Sequence, residues 1–191
     1  MTSRTHDLVA FGSLLTVAAF YPPDSLSIST VFACLIGNII GSLAPDMDQA
    51  ANTLWDLLPA GNSMGKIFRK LLLSHRTISH SLMGIFIMYN ILLFLIPKIL
   101  NSSYINTTFV IISFMIGFIS HIAADSLTKE GIPLFFPFIF KIGIPPIQIL
   151  RIKTGKFMEK YVVFPAVVIY IIWLVAVKKG VFLLLVKLIK N

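Results

Sequence analysis

Charged residues and cysteine are both scarce in this sequence. Only 13% of its 191 residues are charged, about half the usual share in a soluble domain, whereas 57% are hydrophobic. The one cysteine, Cys34, excludes an internal disulfide and any zinc site that needs two thiolates, and its apolar surroundings favour a packing role. No polar linker divides the chain, so we interpret residues 1–191 as a single domain.

Apolar runs of nearly membrane-spanning length recur along the chain and predict an all-α integral membrane protein with four to five transmembrane helices. The expected helices cover residues 5–21, 27–44, 77–96, 109–127 and 161–177. Prolines at positions 22, 23, 45 and 97 are placed to end three of them. The first run also resembles a signal peptide, but Asp7 before it and the prolines after it favour a helix that is retained.

The apolar stretch from residue 131 to residue 149 is too irregular for a helix. It contains prolines at positions 133, 137, 145 and 146, and phenylalanines at positions 135, 136, 138 and 140. We expect a re-entrant or interfacial segment, since irregular backbone at membrane depth must be satisfied by protein or water. Its phenylalanines face lipid or the core, or form a lid over an acyl substrate.

The net charge of +8 raises the question of nucleic-acid binding. No basic helix or aromatic platform stands clear of the apolar runs, so we expect no nucleic-acid partner. Basic residues that flank membrane spans meet anionic lipids and set orientation, which makes membrane lipids the expected partners.

Span counting brings four separate polar sites to one membrane face. The first helix begins at His6, and the second ends at Asp46 and Asp48. The third starts on the same side with His75, Arg76 and His80, and the fourth ends near His121 and Asp125. Counting in this way places all four histidines of the chain at one site. The candidate site residues are His6, Asp46, Asp48, His75, Arg76, His80, His121 and Asp125.

His121 and Asp125 are four residues apart on a predicted helix and therefore share one face. Ionisable groups inside a membrane are costly unless they are paired or functional. An imidazole beside a carboxylate suits zinc or manganese, and the alternative is a structural hydrogen bond between the two side chains.

Asp46 and Asp48 repel each other at the end of a span unless a cation lies between them, although both could simply be solvated acids. Residues 75–81 open the third helix, where Arg76 is suited to hold a phosphate oxygen. The alternative is that residues 75–81 only cap the start of this helix. No Gly-X-Ser-X-Gly motif is present, which disfavours serine hydrolysis.

In their order, these segments resemble the YdjM-like family of bacterial inner-membrane proteins, which are regarded as metal-dependent hydrolases. The resemblance rests on residues 5–6 (TH), 44–49 (APDMDQ), 75–81 (HRTISHS) and 120–133 (SHIAADSLTKEGIP), and it covers about residues 1–150. Gln49 stands where the family has histidine, which puts one ligand or supporting donor in doubt. Thr77 and Ser79 replace glycine and threonine, which are milder departures.

We therefore expect a metal-dependent hydrolase at the cytoplasmic membrane face that acts on a phosphoester, with a lipid-linked phosphoester as one candidate. One or two divalent ions, zinc in preference to manganese, would be held by His6, Asp46, Asp48, His75, His80, His121 and Asp125. Arg76 would stabilise phosphoryl charge, and a surplus carboxylate such as Asp48 would act as general base. The alternative is a non-enzymatic protein: a metal-ion or proton-coupled transporter, or a scaffold with a structural metal.

Basic residues predict that this site faces the cytoplasm, because eleven of the sixteen lie on its side. In a Cys34→Ser background, Asn62→Cys should be protected from a membrane-impermeant maleimide in intact cells, and Ser103→Cys should be labelled. Labelling at position 62 with protection at position 103 would reverse the predicted orientation. Both positions should react after the membrane is opened, which controls for local accessibility.

Overall fold

The structure is a computed structural model that describes residues 1–48, 78–138 and 140–189. Within these ranges the chain forms six α-helices and no β-strand, only two isolated bridges. The helices are α1 (Ser3–Phe20), α2 (Ile28–Leu43), α3 (Leu82–Ile99), α4 (Thr107–Ser126), α5 (Phe164–Val177) and α6 (Lys179–Ile189). A 3₁₀ turn (Ala44–Asp48) follows α2, and a π-helical turn (Glu159–Val163) leads into α5.

Four helical segments of the described residues are long and apolar enough to cross a membrane. They are Ile28–Met47, Leu82–Ile99, Thr107–Ser126 and Glu159–Val177. The predicted all-α membrane fold is thereby confirmed. α1 is not one of the four, and its first two turns carry Arg4, His6 and Asp7.

The α4 helix lies at the centre of the bundle. Its span is 56% buried, whereas the α5 span is 6% buried and exposes apolar side chains on nearly every side, as a lipid-facing helix does. α2 packs along α4 more extensively than any other pair of helices, and α1 packs against both.

Glycines allow α2 and α4 to approach at backbone distance. A Cβ added to Gly41 would lie 2.1 Å from the carbonyl oxygen of Phe114, and one added to Gly117 would lie 2.3 Å from that of Asn38. The Asn38 amide donates to the carbonyl of Ser113 at 3.0 Å, which ties the same two helix faces together. Small residues at such crossings are typical of membrane helix pairs.

The third helix differs from its predicted bounds at both ends. It begins at Leu82 rather than near residue 77, because Ser81 is the N-cap and its hydroxyl accepts from the Gly84 amide at 3.1 Å. It also continues past Pro97 to Ile99. The proline lies in the last turn, where the loss of one amide donor disturbs little of the helix.

The segment after α4 is irregular, as its prolines predicted, and it folds back onto the end of α4. Ile132 pairs with Ile142, and the Ile144 amide donates to the carbonyl of Ser126 at 2.8 Å. The Arg151 guanidinium donates to the carbonyls of Pro145 and Pro146 at 2.7 and 2.9 Å. Proline-rich backbone is thus satisfied by the protein itself.

We predict that Gly117→Ala separates α2 from α4, because its Cβ meets backbone that cannot rotate away. Overpacking of this kind costs about 1–3 kcal/mol, so the purified variant should unfold at a lower temperature in a detergent melt. Gly180→Ala is the matched control: it lies in α6 with no atom within 4 Å of its Cβ position. That control should be neutral or stabilising, and equal melting temperatures for the two variants would contradict the contact.

Candidate metal centre

Four segments that are distant in sequence supply the side chains of one buried cluster. α1 carries His6 in its first turns, and the 3₁₀ turn after α2 carries Asp46. His80 stands just before α3, while His121 and Asp125 lie one turn apart near the end of α4. Because α2 lies close against α4, Asp46 is placed beside His121 and Asp125.

Asp46, His80, His121 and Asp125 form a group that could hold a metal ion, with one ligand atom of each within 4.8 Å of the others. The Nε2 atom of His80 lies 3.5 Å from Asp46 Oδ1 and 3.6 Å from Asp125 Oδ2. The Nε2 atom of His121 lies 3.6 and 3.8 Å from the same two oxygens. Neighbouring ligands of a tetrahedral ion with bonds near 2.0–2.2 Å stand about 3.3–3.6 Å apart, so these four histidine–carboxylate separations are close to the spacing of metal ligands.

The cluster is almost closed to solvent. The side chains of His80, His121 and Asp125 are at most 1% exposed, whereas Asp46 retains 21%. Within the described part of the chain, Asp46 Oδ1 and His121 Nε2 are buried and make no hydrogen bond. Buried polar atoms of this kind are costly, and a cation between them would offset the cost. The donor set therefore fits a divalent metal.

Hydrogen bonds behind the rings turn the histidines toward the centre. The His121 Nδ1–H donates to the backbone carbonyl of Ser42 at 2.5 Å, which leaves the lone pair of the neutral ring on Nε2. His80 Nδ1 lies 3.0 Å from the hydroxyl of Ser79. Burial lowers the pKa of His80, and a neutral imidazole is the form that binds metal.

His6 joins the cluster from the side of α1. Its ring stacks on that of His121 with centroids 3.7 Å apart and planes within 9° of parallel. Its Nε2 atom lies 3.2 Å from Asp125 Oδ1, the carboxylate oxygen that the amino group of Met1 also contacts.

Five of the predicted site residues are thus close together: His6, Asp46, His80, His121 and Asp125. Their role as ligands stays a prediction. His75 and Arg76 lie outside the described residues, as does the side chain of Asp48, so their predicted roles stay untested.

The structure also places three supporting residues that the sequence did not single out. The Ser42 hydroxyl donates to Asp7 Oδ1 at 2.5 Å, behind the carbonyl that orients His121. Glu159 is fully buried and fastens the start of α1. Its Oε1 accepts from the Thr2 amide and from the hydroxyls of Thr2 and Thr5 at 2.7–2.8 Å, and its Oε2 accepts from the Gly155 amide at 2.7 Å. One signal for Glu159 was available, since it is the single acid in the basic stretch 151–160.

Comparisons with known proteins agree with this architecture. The sequence model of one family, described as YdjM inner membrane protein, matches residues 1–188. An uncharacterized protein of Bacillus subtilis, YvsG, is 29% identical over 85% of this chain and 87% of its own length. The inner membrane protein YdjM of Escherichia coli is 25% identical over 71% of this chain, and the match spans 63% of that relative. No solved structure gives a significant match.

We predict that Glu159→Ala loosens the start of α1 and with it the position of His6. Each amide or hydroxyl left without a partner costs about 1–3 kcal/mol, so the variant should melt well below the wild type. Glu159→Gln is the graded control, because its amide oxygen can still accept from Thr2 and Thr5 and only the bond from Gly155 is lost. A Glu159→Ala protein that melts like the wild type would show that the carboxylate is not an anchor.

Proposed function

The chain belongs to the YdjM family of inner membrane proteins, and on that premise we propose that it is a metal-dependent hydrolase of a phosphoester at the cytoplasmic membrane face. One observation carries the proposal. Two carboxylates and two imidazoles from three distant segments meet at ligand spacing, at the ends of membrane spans rather than at midplane.

The residues of the centre divide into holding and reacting groups. Asp46, His80, His121 and Asp125 would hold a divalent ion, with zinc favoured and manganese the alternative. When bound, such an ion supplies Lewis acidity, which lowers the pKa of water and offsets phosphoryl charge. Arg76 is proposed to stabilise the phosphoryl group, and Asp48 to act as general base.

The surroundings support a substrate at the membrane surface, such as a lipid-linked phosphoester. Asp46 is the most exposed of the four ligands, so substrate and water would reach the centre from its side. The segment that folds back onto the end of α4 exposes Phe135, Phe138 and Phe140, each at least 46% accessible, near the same end of the bundle. Aromatic side chains there are suited to the boundary between head groups and acyl chains.

A transporter or a scaffold with a structural metal is the competing function. An ion path needs polar groups near the middle of the membrane. The described titratable groups of the cluster instead lie in the first turns of α1, in the turn after α2, before α3 and in the last turns of α4. This distribution favours a site at the membrane surface.

We predict that Asp125→Asn abolishes both bound metal and turnover, because the amide keeps the shape of the side chain but lacks the charge that a divalent ion needs. Metal content by mass spectrometry and chelator-sensitive activity on a phosphoester panel are the measurements. Asp24→Asn, an exposed acid in the loop between α1 and α2, is the control and should change neither.

Other outcomes separate the competing functions. If Asp125 is only a structural partner of histidine, Asp125→Asn should keep full metal and activity and lose about 1–2 kcal/mol of stability. A wild-type protein that holds metal without chelator-sensitive turnover would favour the scaffold or transporter. A wild-type protein that binds no metal would refute the proposal.

A further inference from the structure

Asp125 is placed to bind two cations, one through each carboxylate oxygen. We infer that it bridges the four-ligand group to a second, smaller cation subsite formed by its Oδ1 and by His6. This inference rests on the proposed metal centre and adds to it the number of ions and the part played by α1.

The two oxygens of Asp125 face different neighbours. Oδ2 lies 3.6 Å from His80 Nε2 and 3.8 Å from His121 Nε2, within the four-ligand group. Oδ1 lies 3.2 Å from His6 Nε2, which is not part of that group. The carboxylate of Asp125 thus lies between the ring of His6 and the rings of His80 and His121. A carboxylate in such a position bridges paired ions about 3.5–4 Å apart in two-metal hydrolases.

His6 is a second and independent sign of a ligand. The side chain is 1% exposed, and neither ring nitrogen makes a hydrogen bond to any residue in the described ranges. His6 Nε2 has Asp125 Oδ1 at 3.2 Å but makes no hydrogen bond to it. A buried imidazole without hydrogen bonds costs stability unless something else satisfies it. Because its ring lies flat on His121, His6 cannot turn away from the carboxylate without giving up that stacking contact.

A second ion at Oδ1 would take the place of a positive group that is already there. The amino group of Met1 contacts this oxygen, and the two cations would compete for it. A carboxylate oxygen and one imidazole are few protein ligands. The second ion would therefore keep several waters and be held more weakly than the first, as is usual for hard cations bound by few side chains.

Manganese loading of the full chain in lipid nanodiscs tests the second subsite without any substrate. The protein is stripped with chelator and titrated with Mn²⁺, the metal-to-protein ratio is measured by mass spectrometry, and coupling between the ions is read by electron paramagnetic resonance. We expect two ions per chain, a tight one and a weaker one, with the spectrum of a coupled pair. The wild-type spectrum answers the question even if variants fold poorly.

His6→Phe is the informative variant, because it keeps an aromatic ring to stack on His121 and removes both nitrogens. It should bind one ion, uncoupled, with the tight step unchanged. Asp24→Asn, remote from the cluster, should behave as wild type with two ions.

Three results would overturn the inference, and they differ in what they imply for the function. If the wild type binds a single ion and His6→Phe binds it equally well, the Met1 amino group rather than a metal satisfies Oδ1. The proposed hydrolase function would then still stand. A single ion that a folded His6→Phe loses makes His6 a ligand of one mononuclear site. No bound ion in the wild type removes the second subsite and the proposed function together.

Discussion

The backbone contact between α2 and α4 is the constraint on which the cluster depends. Gly41 and Gly117 allow each helix to lie against the other's carbonyl groups. At that separation the carbonyl of Ser42 reaches His121 Nδ1, and the turn that follows α2 delivers Asp46 beside Asp125. A larger interhelical distance would leave the histidine without its orienting partner and the two acids without common neighbours. The packing of α2 against α4 therefore also determines the geometry of the cluster.

A second constraint comes from burying charge at the end of membrane spans. Carboxylates in a medium of low polarity are stable only beside positive or hydrogen-donating groups, and the cluster gathers imidazoles and an amino group around Asp125. Glu159 meets the same requirement differently, with four neutral donors from the described residues. The two carboxylates are thus stabilised in different ways, Glu159 by hydrogen bonds from neutral donors and Asp125 by imidazoles and an amino group.

Four of the predicted spans and the meeting of distant segments followed from the sequence. Apolar length predicts the spans, and the alternation of helix direction determines which helix ends share a membrane face. His6 beside Asp125 was predictable in this way. The role of Glu159 was not, since it depends on a contact across 154–157 residues with the first turn of α1. The start of α3 was also misplaced, because Ser79 and Thr77 are by residue type as suitable for capping as Ser81, and the sequence alone does not choose among them.

The link between Glu159 and Thr5 has a consequence for how the protein is made. A chain inserted during synthesis presents α1 to the membrane long before the residue that fastens it exists. With 154 residues between the two partners and translation at about 5–20 residues per second, roughly 8–30 s pass before the bond can form. During that interval His6 is not locked in place, so the cluster is completed late in biogenesis. Ribosome pausing or slow insertion near the C-terminal spans would delay completion of the cluster rather than membrane entry.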